Sequence, residues 1–335
     1  MKKSPVIAIV GATGLVGAEM VQILEQMAIP FAEVRLLASE DSKGEIYRVG
    51  SSEVAVEVLD AAAFSGVDIA LFATNQDLSR EFVPIAVEQG AVAIDNSSYF
   101  RMQEGVPLVV PEVNANLLIS NPRIIANPNC STIQLVPILA AIHRVAGLKR
   151  VVVSTYQSVS GAGKAALDEL WGQTVAICNQ RAVPQEEFQH QIAFNCIPQI
   201  DVMMDDGYTR EEYKIINESR KILNLPQLAI TATAVRVPVF HGHAESVNVE
   251  TERELPLSQL VELLSSTSGI EVYPDYSEYP MQLGTTSSDL IQVGRIRRDS
   301  SVDCGFNLWI VADNVRKGAA LNACQIAKIL VDQSA

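Results

Sequence analysis

A cysteine within a polar hexapeptide is the residue of this chain that is best suited to covalent chemistry. Residues 127–132 read NPNCST, and we predict a helix that begins near Ser131, so Cys130 stands at its start. The positive end of a helix dipole lowers the pKa of a thiol, and the thiolate is the nucleophilic form. We therefore predict that Cys130 is a nucleophile. The alternative is a small buried apolar residue, as we expect for most of the five cysteines.

A cysteine nucleophile needs a partner that moves protons, and the chain contains four histidines. His241 and His243 follow the predicted strand 229–238 in a glycine turn, which is a usual place for functional groups. His143 lies among apolar residues of a predicted helix, and His190 has no informative context. The two neighbouring histidines suggest a metal, but no further residues at ligand spacing accompany them, so we predict no metal site.

Two further segments carry groups that could act on a carbonyl substrate. Residues 154–164 form a predicted strand that ends in a turn of small residues, and the Gln157 amide there could orient a carbonyl. The turn contains Ser160 and Gly161, and it is flexible enough to approach a nicotinamide ring. Residues 209–214 read TREEYK and begin a predicted helix with carboxylates beside a cation. An ordinary exposed ion pair is the alternative interpretation of that segment.

A glycine-rich turn follows the first predicted strand. Residues 10–17 read VGATGLVG between an apolar run and a helix, which is the context of a dinucleotide-binding turn. Gly11 would permit the tight turn, Gly14 the approach of a pyrophosphate, and Gly17 close packing of the helix. The spacing GxxGxxG matches the usual pattern only in part. We predict nucleotide binding, with a purely structural turn as the alternative.

The end of the second predicted strand should meet the ribose next to the adenine. Ser39, Ser42 and Lys43 could hold a 2′-phosphate there, whereas Glu40 and Asp41 would repel it and could bind a free 2′-hydroxyl. The residues alone therefore leave NADP and NAD open.

The elements that must position these residues form two groups. Strands and helices alternate over roughly the first 125 residues, which predicts a parallel doubly wound sheet. Beyond residue 128 the strands are longer and often alternate in polarity, which predicts a mixed or antiparallel sheet with helices at 165–174 and 210–223. Residues 318–331 read as an amphipathic helix that could return to the first domain.

The composition restricts the class of protein. The chain of 335 residues is 48% hydrophobic with a net charge of −14, which indicates a globular protein and argues against nucleic acid or an anionic membrane surface as partner. No apolar run is long enough to span a bilayer. Met1 to Lys3 lead directly into a strand-like run rather than a signal peptide, so we expect a cytoplasmic location.

Together these motifs resemble the aspartate-semialdehyde dehydrogenase family. Several separate motifs in one order and spacing are much more specific than any single motif. The resemblance implies a Rossmann-type domain and an α+β domain of the glyceraldehyde-3-phosphate dehydrogenase type. The matching segments are GATGLVG at 11–17, SSYFR at 97–101, NPNCST at 127–132, TYQSVSGAG at 155–163, REEYK at 210–214, Arg236 with Gly242 and His243, and DNVRKGAALNA at 313–323.

The resemblance implies a role for each catalytic residue. Cys130 is the nucleophile, and His243 rather than His241 is the acid and base. Gln157 orients the acyl group. A thiolate next to a nicotinamide attacks an aldehyde to form a thiohemiacetal, which loses hydride and becomes a thioester.

The resemblance also implies the binding residues. Arg236 holds the substrate carboxylate, and Glu211 rather than Glu212 holds the α-amino group. Inorganic phosphate, the second substrate, binds to Arg101, Asn129 and Lys214. The residues expected at the cofactor are Gly11, Thr13, Gly14, Leu15, Val16, Gly17, Ser39, Ser42, Ser160, Gly161 and Asn314.

The expected reaction is the NADPH-dependent reductive dephosphorylation of L-4-aspartyl phosphate in lysine, threonine, methionine and diaminopimelate biosynthesis. The resemblance implies a homodimer, with an NADP-binding domain over 1–128 completed by a helix over 315–335, and a catalytic and dimerisation domain over 129–314. This chain has Glu40 and Asp41 where the family usually carries an arginine. NAD or dual cofactor use is therefore open.

Two other functions agree with part of these motifs. N-acetyl-γ-glutamyl-phosphate reductase shares the fold and the chemistry, but a PGCYPT-like motif would be expected around its cysteine, without the REEYK segment. A catalytically inactive nucleotide-binding paralogue would usually lack Cys130 or His243, and this chain has both.

Overall fold

A computed structural model describes residues 4–333, so Met1 to Lys3 and the last two residues of the helix expected over 315–335 lie outside the described residues. The chain separates into two compact units. The first contains the residues up to Asn129 together with those from Ala319 on, and the second is Cys130–Gly318. The predicted α/β fold class, with a Rossmann-type sheet and a second α+β domain, is confirmed.

The first unit is built on a seven-stranded sheet in the order β3-β4-β2-β1-β5-β6-β7. All its neighbouring strands are parallel except β3 and β4, which form an antiparallel pair at one edge. The sequence alone did not indicate that pair. The strands are β1 (Val6–Val10), β2 (Glu33–Ala38), β3 (Ile46–Val49), β4 (Ser52–Val58), β5 (Ile69–Phe72), β6 (Val92–Asp95) and β7 (Ile124–Ala126).

Helices pack on this sheet because its central strands are apolar on both faces. Four of the five residues of β1 are buried, which a parallel strand achieves only when both faces of the sheet are covered. The side chain of Asn75 begins one of the helices by accepting the backbone N–H groups of Asp77 and Leu78. The helices of this part of the chain are α1 (Leu15–Gln26), α2 (Gln76–Glu88) and the single turn α3 (Pro111–Asn114).

The second unit is built on a six-stranded mixed sheet in the order β11-β12-β13-β10-β8-β9. The pairs β8–β9 and β11–β12 are parallel, and the other pairs are antiparallel. The strands are β8 (Leu148–Gln157), β9 (Ala229–Arg236), β10 (His243–Thr251), β11 (Ile270–Val272), β12 (Ile291–Arg298) and β13 (Gly305–Ala312), and the helices are α4 (Cys130–Ala146), α5 (Lys164–Cys178), α6 (Arg210–Leu223) and α7 (Leu257–Ser265).

The register of this sheet brings three of the candidate site residues to one row. Gln157 is the last residue of β8, and it lies opposite His243, the first residue of β10. On its other side Gln157 lies opposite Arg236, the last residue of β9. Three separate strands therefore place polar residues at the same end of the sheet.

The end of the chain differs from the single helix predicted over 318–331. Residues Arg316–Leu321 form a π-helical turn, and α8 (Asn322–Asp332) follows it. The apolar face of α8, including Ile326 and Leu330, is buried in the core of the first unit. Among residues 4–333, no helix is long and apolar enough to cross a membrane.

Candidate active site

Cys130 is the first residue of α4, and it is partly exposed. The first turn of α4 contains no acidic residue, so no side chain of that turn opposes the positive end of the helix dipole near the thiol. Gly318 lies against the cysteine, because a Cβ atom on Gly318 would come within 3.0 Å of the Cys130 Cβ. A side chain at position 318 would therefore displace the thiol.

Buried amides of the first unit hold the segment that leads to the cysteine. The Asn127 Nδ2 donates to Asn96 Oδ1 at 2.7 Å, and its Oδ1 accepts from Asn322 Nδ2 at 2.6 Å. The Arg101 Nε donates to the backbone oxygen of Asn127 at 2.9 Å. This network fixes the backbone of the segment, since its side chains join parts of the chain that are far apart in sequence.

His243 is fully buried, and burial lowers the pKa of its ring to about 3, with a further contribution from the positive charge of Arg236. The ring is therefore neutral at pH 7. Its Nδ1 accepts the backbone N–H of Ser158 at 3.1 Å. Because a backbone N–H can only donate, Nδ1 carries no proton, and the single ring proton lies on Nε2.

The Gln157 amide is held in one orientation by two neighbours. Its Oε1 accepts the hydroxyl of Thr155 at 2.9 Å, and its Nε2 donates to Glu211 Oε1 at 3.2 Å. The same Nε2 lies 3.5 Å from the Nε2 of His243. Both nitrogens carry protons, so they form a pair of donors that an oxygen atom could satisfy.

Arg236 is buried beside this pair. Its Nη1 donates to the backbone oxygen of Ser158 at 2.7 Å. Burial lowers the pKa of its guanidinium, while the negative charges of Glu211 and of the Cys130 thiolate act in the opposite direction. A Cβ atom on Gly161 would lie 3.1 Å from both Arg236 Nη1 and His243 Nε2, so the glycine lets the turn approach both groups.

The two adjacent glutamates of α6 have different surroundings. Glu212 forms a capping box with Thr209, and its second oxygen accepts the backbone N–H of Ala234 at 2.9 Å. Glu211 instead contacts Gln157 through Oε1 and Lys214 through Oε2, at 3.2 and 3.0 Å. Glu212 thus accepts hydrogen bonds from backbone N–H groups, whereas Glu211 belongs with Gln157, Arg236 and His243 to one polar cluster.

Ser160 and Asn314 form a second buried network, which reaches the Nδ1 side of His243 through Ser158. The Asn314 Oδ1 accepts the hydroxyls of Ser158 and Ser160, each at 3.1 Å, and the backbone N–H of Gly242 at 2.9 Å. The network joins the turn after β8 to the turn before β10. It therefore fixes the backbone on both sides of His243.

The glycine-rich turn has the geometry of a phosphate cradle. Gly11 has a φ of +82°, and a Cβ there would lie 2.4 Å from the backbone oxygen of Ala73. A Cβ on Gly17 would lie 2.1 Å from the oxygen of Gly11. Gly14 caps α1 without a side chain, and the first turn, which begins with Leu15 and Val16, contains no acidic residue. The N–H groups there suit an anion such as a pyrophosphate.

The segment after β2 contacts the glycine-rich turn. The Ser42 hydroxyl donates to Thr13 Oγ1 at 3.2 Å. Ser39 precedes a single helical turn, Glu40–Ser42, and Glu40 forms an exposed ion pair with Lys43 at 3.0 Å. A serine and a threonine hydroxyl and a partly neutralised carboxylate therefore lie where the 2′ end of a cofactor is expected.

The expected phosphate ligands are divided between the two units. Arg101 and Asn129 are buried in the first unit, and Lys214 belongs to the second. The Arg101 Nη2 donates to the backbone oxygen of Asn96 at 2.7 Å. The Lys214 Nζ contacts Glu211 at 3.0 Å and Asp201 at 2.8 Å.

His241 differs from His243 in its surroundings. It is only partly buried, and it precedes the glycine that leads into β10. Within residues 4–333, no three histidine, cysteine or acidic side chains are grouped as metal ligands would be.

Comparisons with known proteins agree with the motifs. Two family profiles match: "Semialdehyde dehydrogenase, NAD binding domain" over residues 6–120 and "Semialdehyde dehydrogenase, dimerisation domain" over 139–317. Aspartate-semialdehyde dehydrogenase 2 of Vibrio cholerae is 49% identical over 328 residues, which is 97% of either chain. The chain belongs to the aspartate-semialdehyde dehydrogenase family. It is thus an oxidoreductase of amino-acid biosynthesis with an NAD(P)-binding domain.

Other members of the family match over the same length. The Aquifex aeolicus aspartate-semialdehyde dehydrogenase is 47% identical over 333 residues, 98% of either chain. The crystal structure of aspartate semialdehyde dehydrogenase II from Vibrio cholerae complexed with ASA is 48% identical, with a TM-score of 0.96 and 99% of either chain covered. The family predicted from the motifs is confirmed, and the acetylglutamyl-phosphate reductase alternative is not favoured.

Three contacts of the polar cluster were missed by the sequence analysis. Thr155 shares the face of β8 with Gln157, as the alternation of a strand requires, so its position could have been predicted. Ser158 lies in the same motif, but its backbone N–H carries the contact to His243, and no side-chain pattern signals this. Asp201 lies in an irregular loop, where no periodicity points to Lys214.

Proposed function

We propose that this chain reduces L-4-aspartyl phosphate to L-aspartate 4-semialdehyde with NADPH, reversibly and with phosphate as co-substrate of the reverse reaction. The observation that carries the proposal is the convergence of Gln157, Glu211, Arg236 and His243 in the unit whose first helix begins at Cys130. The structure of the Vibrio cholerae relative complexed with ASA supports the same substrate.

In the biosynthetic direction the Cys130 thiolate attacks the acyl carbon of the substrate, and the carbon–oxygen bond to phosphate breaks. The product is an acyl-thioester on Cys130. A reduced nicotinamide cofactor, when bound, would supply the hydride for the reduction of this carbon. When the carbon–sulfur bond then breaks, the aldehyde leaves, and the thiolate is restored at the start of α4.

His243 acts in this sequence through the proton on its Nε2. The thioester oxygen becomes negative when hydride adds to the carbon, and the Nε2–H group donates a hydrogen bond that stabilises this charge. The negative charge passes to sulfur as the carbon–sulfur bond breaks, so the ring stays neutral throughout. The Gln157 Nε2 is the second donor to the oxygen, and its fixed orientation requires no rearrangement at that moment.

Two charged residues recognise the amino-acid part of the substrate. The planar guanidinium of Arg236 suits a bidentate contact with the α-carboxylate, and its burial strengthens the interaction. Glu211 offers a carboxylate to the α-amino group. The surroundings of Glu212, which is occupied by backbone N–H groups, support Glu211 for this role.

Arg101, Asn129 and Lys214 are the proposed ligands of inorganic phosphate. Arg101 and Lys214 supply the positive charge that this acidic chain needs locally to hold an anion. The phosphate dependence of the reverse reaction is therefore the property that these residues control.

NADP is the proposed cofactor, with NAD or dual use allowed by Glu40 and Asp41. The glycine-rich turn and the uncapped start of α1 suit the pyrophosphate. Ser39, Ser42 and Thr13 offer hydroxyls to a 2′-phosphate, and Lys43 reduces the repulsion from Glu40.

Cofactor binding and catalysis are assigned to different parts of the chain. We assign cofactor binding to residues 1–128 with residues 315–335, and catalysis and dimerisation to residues 129–314. The match of residues 139–317 to a dimerisation domain supports a homodimer. The cytoplasmic location stays a prediction.

The test is an assay of purified protein with L-aspartate 4-semialdehyde, comparing NADP with NAD in the presence and absence of phosphate. We expect reduction of NADP that stops when phosphate is omitted. Activity mainly with NAD would retain the mechanism and assign cofactor choice to Glu40 and Asp41. No activity with either cofactor would overturn the proposed reaction.

A further inference from the structure

Lys214 is held between two carboxylates in the second unit. Its Nζ lies 2.8 Å from Asp201 Oδ2 and 3.0 Å from Glu211 Oε2. Burial acts to lower the pKa of Lys214, but the negative charges of Glu211 and Asp201 outweigh it and raise the pKa. Two of the three N–H donors of the ammonium are therefore directed at carboxylates, and one remains for any other acceptor.

The two carboxylates differ in how firmly they are fixed. Glu211 is only 7% exposed, and its other oxygen is held by Gln157. Asp201 is 24% exposed and lies in an irregular loop, where its second oxygen accepts the local backbone N–H of Val202 and lies 3.9 Å from Arg210. Asp201 is thus the partner of Lys214 that an incoming anion can replace.

We infer that Asp201 is an internal competitor of phosphate: its carboxylate occupies Lys214 and thereby sets the phosphate concentration that the enzyme needs. The inference rests on the role proposed above for Lys214. A phosphate that binds to the third N–H donor of Lys214 is repelled by the nearby negative charge of Asp201. A phosphate that binds where Asp201 now contacts Lys214 must first displace the Asp201 carboxylate. Either way the carboxylate weakens phosphate binding.

The backbone at Asp201 allows a variant that removes only the charge. Its φ of +67° lies in the left-handed region, which aspartate and asparagine tolerate better than most residues. Asparagine also retains an oxygen for the N–H of Val202. Asp201→Asn should therefore fold as the parent does, and Asp205→Asn is its matched control, because this exposed neighbour in the same loop loses the same charge.

The experiment measures KM for inorganic phosphate and for the semialdehyde in the parent protein and in three variants. We expect Asp201→Asn to lower KM for phosphate about three- to tenfold with the semialdehyde KM within about twofold, which is the scale of one partly screened charge pair. Asp205→Asn should leave both values within about twofold. An unchanged or raised phosphate KM in Asp201→Asn would overturn the inference.

The third variant, Lys214→Ala, separates the inference from the proposed role of the lysine. We expect it to raise the phosphate KM at least about tenfold, since it removes a charged ligand. If it does so while Asp201→Asn has no effect, the phosphate site stands and the competition by Asp201 is wrong. If Lys214→Ala leaves the phosphate KM unchanged, the assignment of Lys214 fails, and the inference fails with it.

Discussion

The glycine-rich turn of the first unit and the polar cluster of the second unit are built from different chemical groups. The turn offers backbone N–H groups, and its geometry depends on missing side chains at Gly11 and Gly17. The cluster depends on side chains, and the orientations of Gln157 and His243 are each set by specific partners.

This difference predicts two kinds of response to substitution. In the turn a substitution acts through added volume, because new atoms meet the backbone. In the cluster a substitution acts through a lost atom, because each side chain presents one donor, acceptor or charge. Cofactor binding and the chemical step should therefore be separable by mutation.

The largest expected effect comes from Cys130→Ala. We expect turnover to fall by about 10⁴-fold or more, because the covalent intermediate cannot form, while NADPH affinity stays within about twofold. Steady-state assays and a fluorescence titration with NADPH check both values. The control is Cys178→Ala, which removes an exposed cysteine at the end of α5. Undiminished turnover in Cys130→Ala would exclude the covalent mechanism.

Gly17→Ala should give the opposite pattern. Its Cβ would lie 2.1 Å from the oxygen of Gly11, so the turn has to move, and we expect NADPH affinity to fall about a hundredfold. The alkylation rate of Cys130 should change less than about threefold. Gly172→Ala is the control, because a Cβ there meets its nearest neighbour at an ordinary 3.6 Å. Normal NADPH binding by Gly17→Ala would contradict the proposal that the glycine-rich turn binds the pyrophosphate of the cofactor.

Substitutions of the adjacent Glu211 and Glu212 should separate an effect on substrate binding from an effect on stability. We expect Glu211→Gln to raise KM for the semialdehyde about 10- to 100-fold, the scale of one hydrogen bond to a charged group. Glu212→Gln should instead lower Tm by about 3–6 °C through a weaker cap, with KM almost unchanged. Kinetics and calorimetry of both variants test this assignment, and exchanged phenotypes would reverse it.

The smallest expected effect is the pH dependence from His243. Its folded pKa of about 3 lies below the unfolded value of about 6.5, so the unfolded chain binds the additional proton. Stability is therefore lost as the pH falls from about 6.5 towards 3, by about 2 kcal/mol between pH 7.5 and 5. Urea unfolding at the two pH values should show a smaller loss in His243→Asn. Equal losses would mean that the folded ring accepts a proton.

Some of these features could be predicted from the sequence. The apolar run before Gly11 and the alternating strands after residue 128 indicated the two sheets, because burial on both faces and on one face leave different patterns. The antiparallel pair β3–β4 was missed, since short exposed edge strands carry little apolar signal. The π-helical turn at Arg316–Leu321 was predicted as ordinary helix, because periodicity does not distinguish the two over one turn.

The chemistry of the cluster was less predictable. The motifs indicated which residues to consider, but the tautomer of His243 depends on a backbone N–H, and the surroundings of Glu211 and Glu212 depend on tertiary contacts. Asp201 has no motif at all, because a loop residue is brought to Lys214 only by the folded backbone. Pairwise contacts of this kind are fixed by the tertiary fold, and a single sequence does not encode them as a pattern.

The contact between Asn127 and Asn322 has a consequence for synthesis in the cell. The two side chains are 195 residues apart in sequence, and Gly318, which lies against Cys130, also comes much later in the chain than the cysteine. A ribosome must therefore translate beyond Asn322 before the segment around Cys130 meets these neighbours. Until then the nascent chain carries a thiol without its final packing, so prematurely terminated products should be more readily oxidised at Cys130 than the finished enzyme.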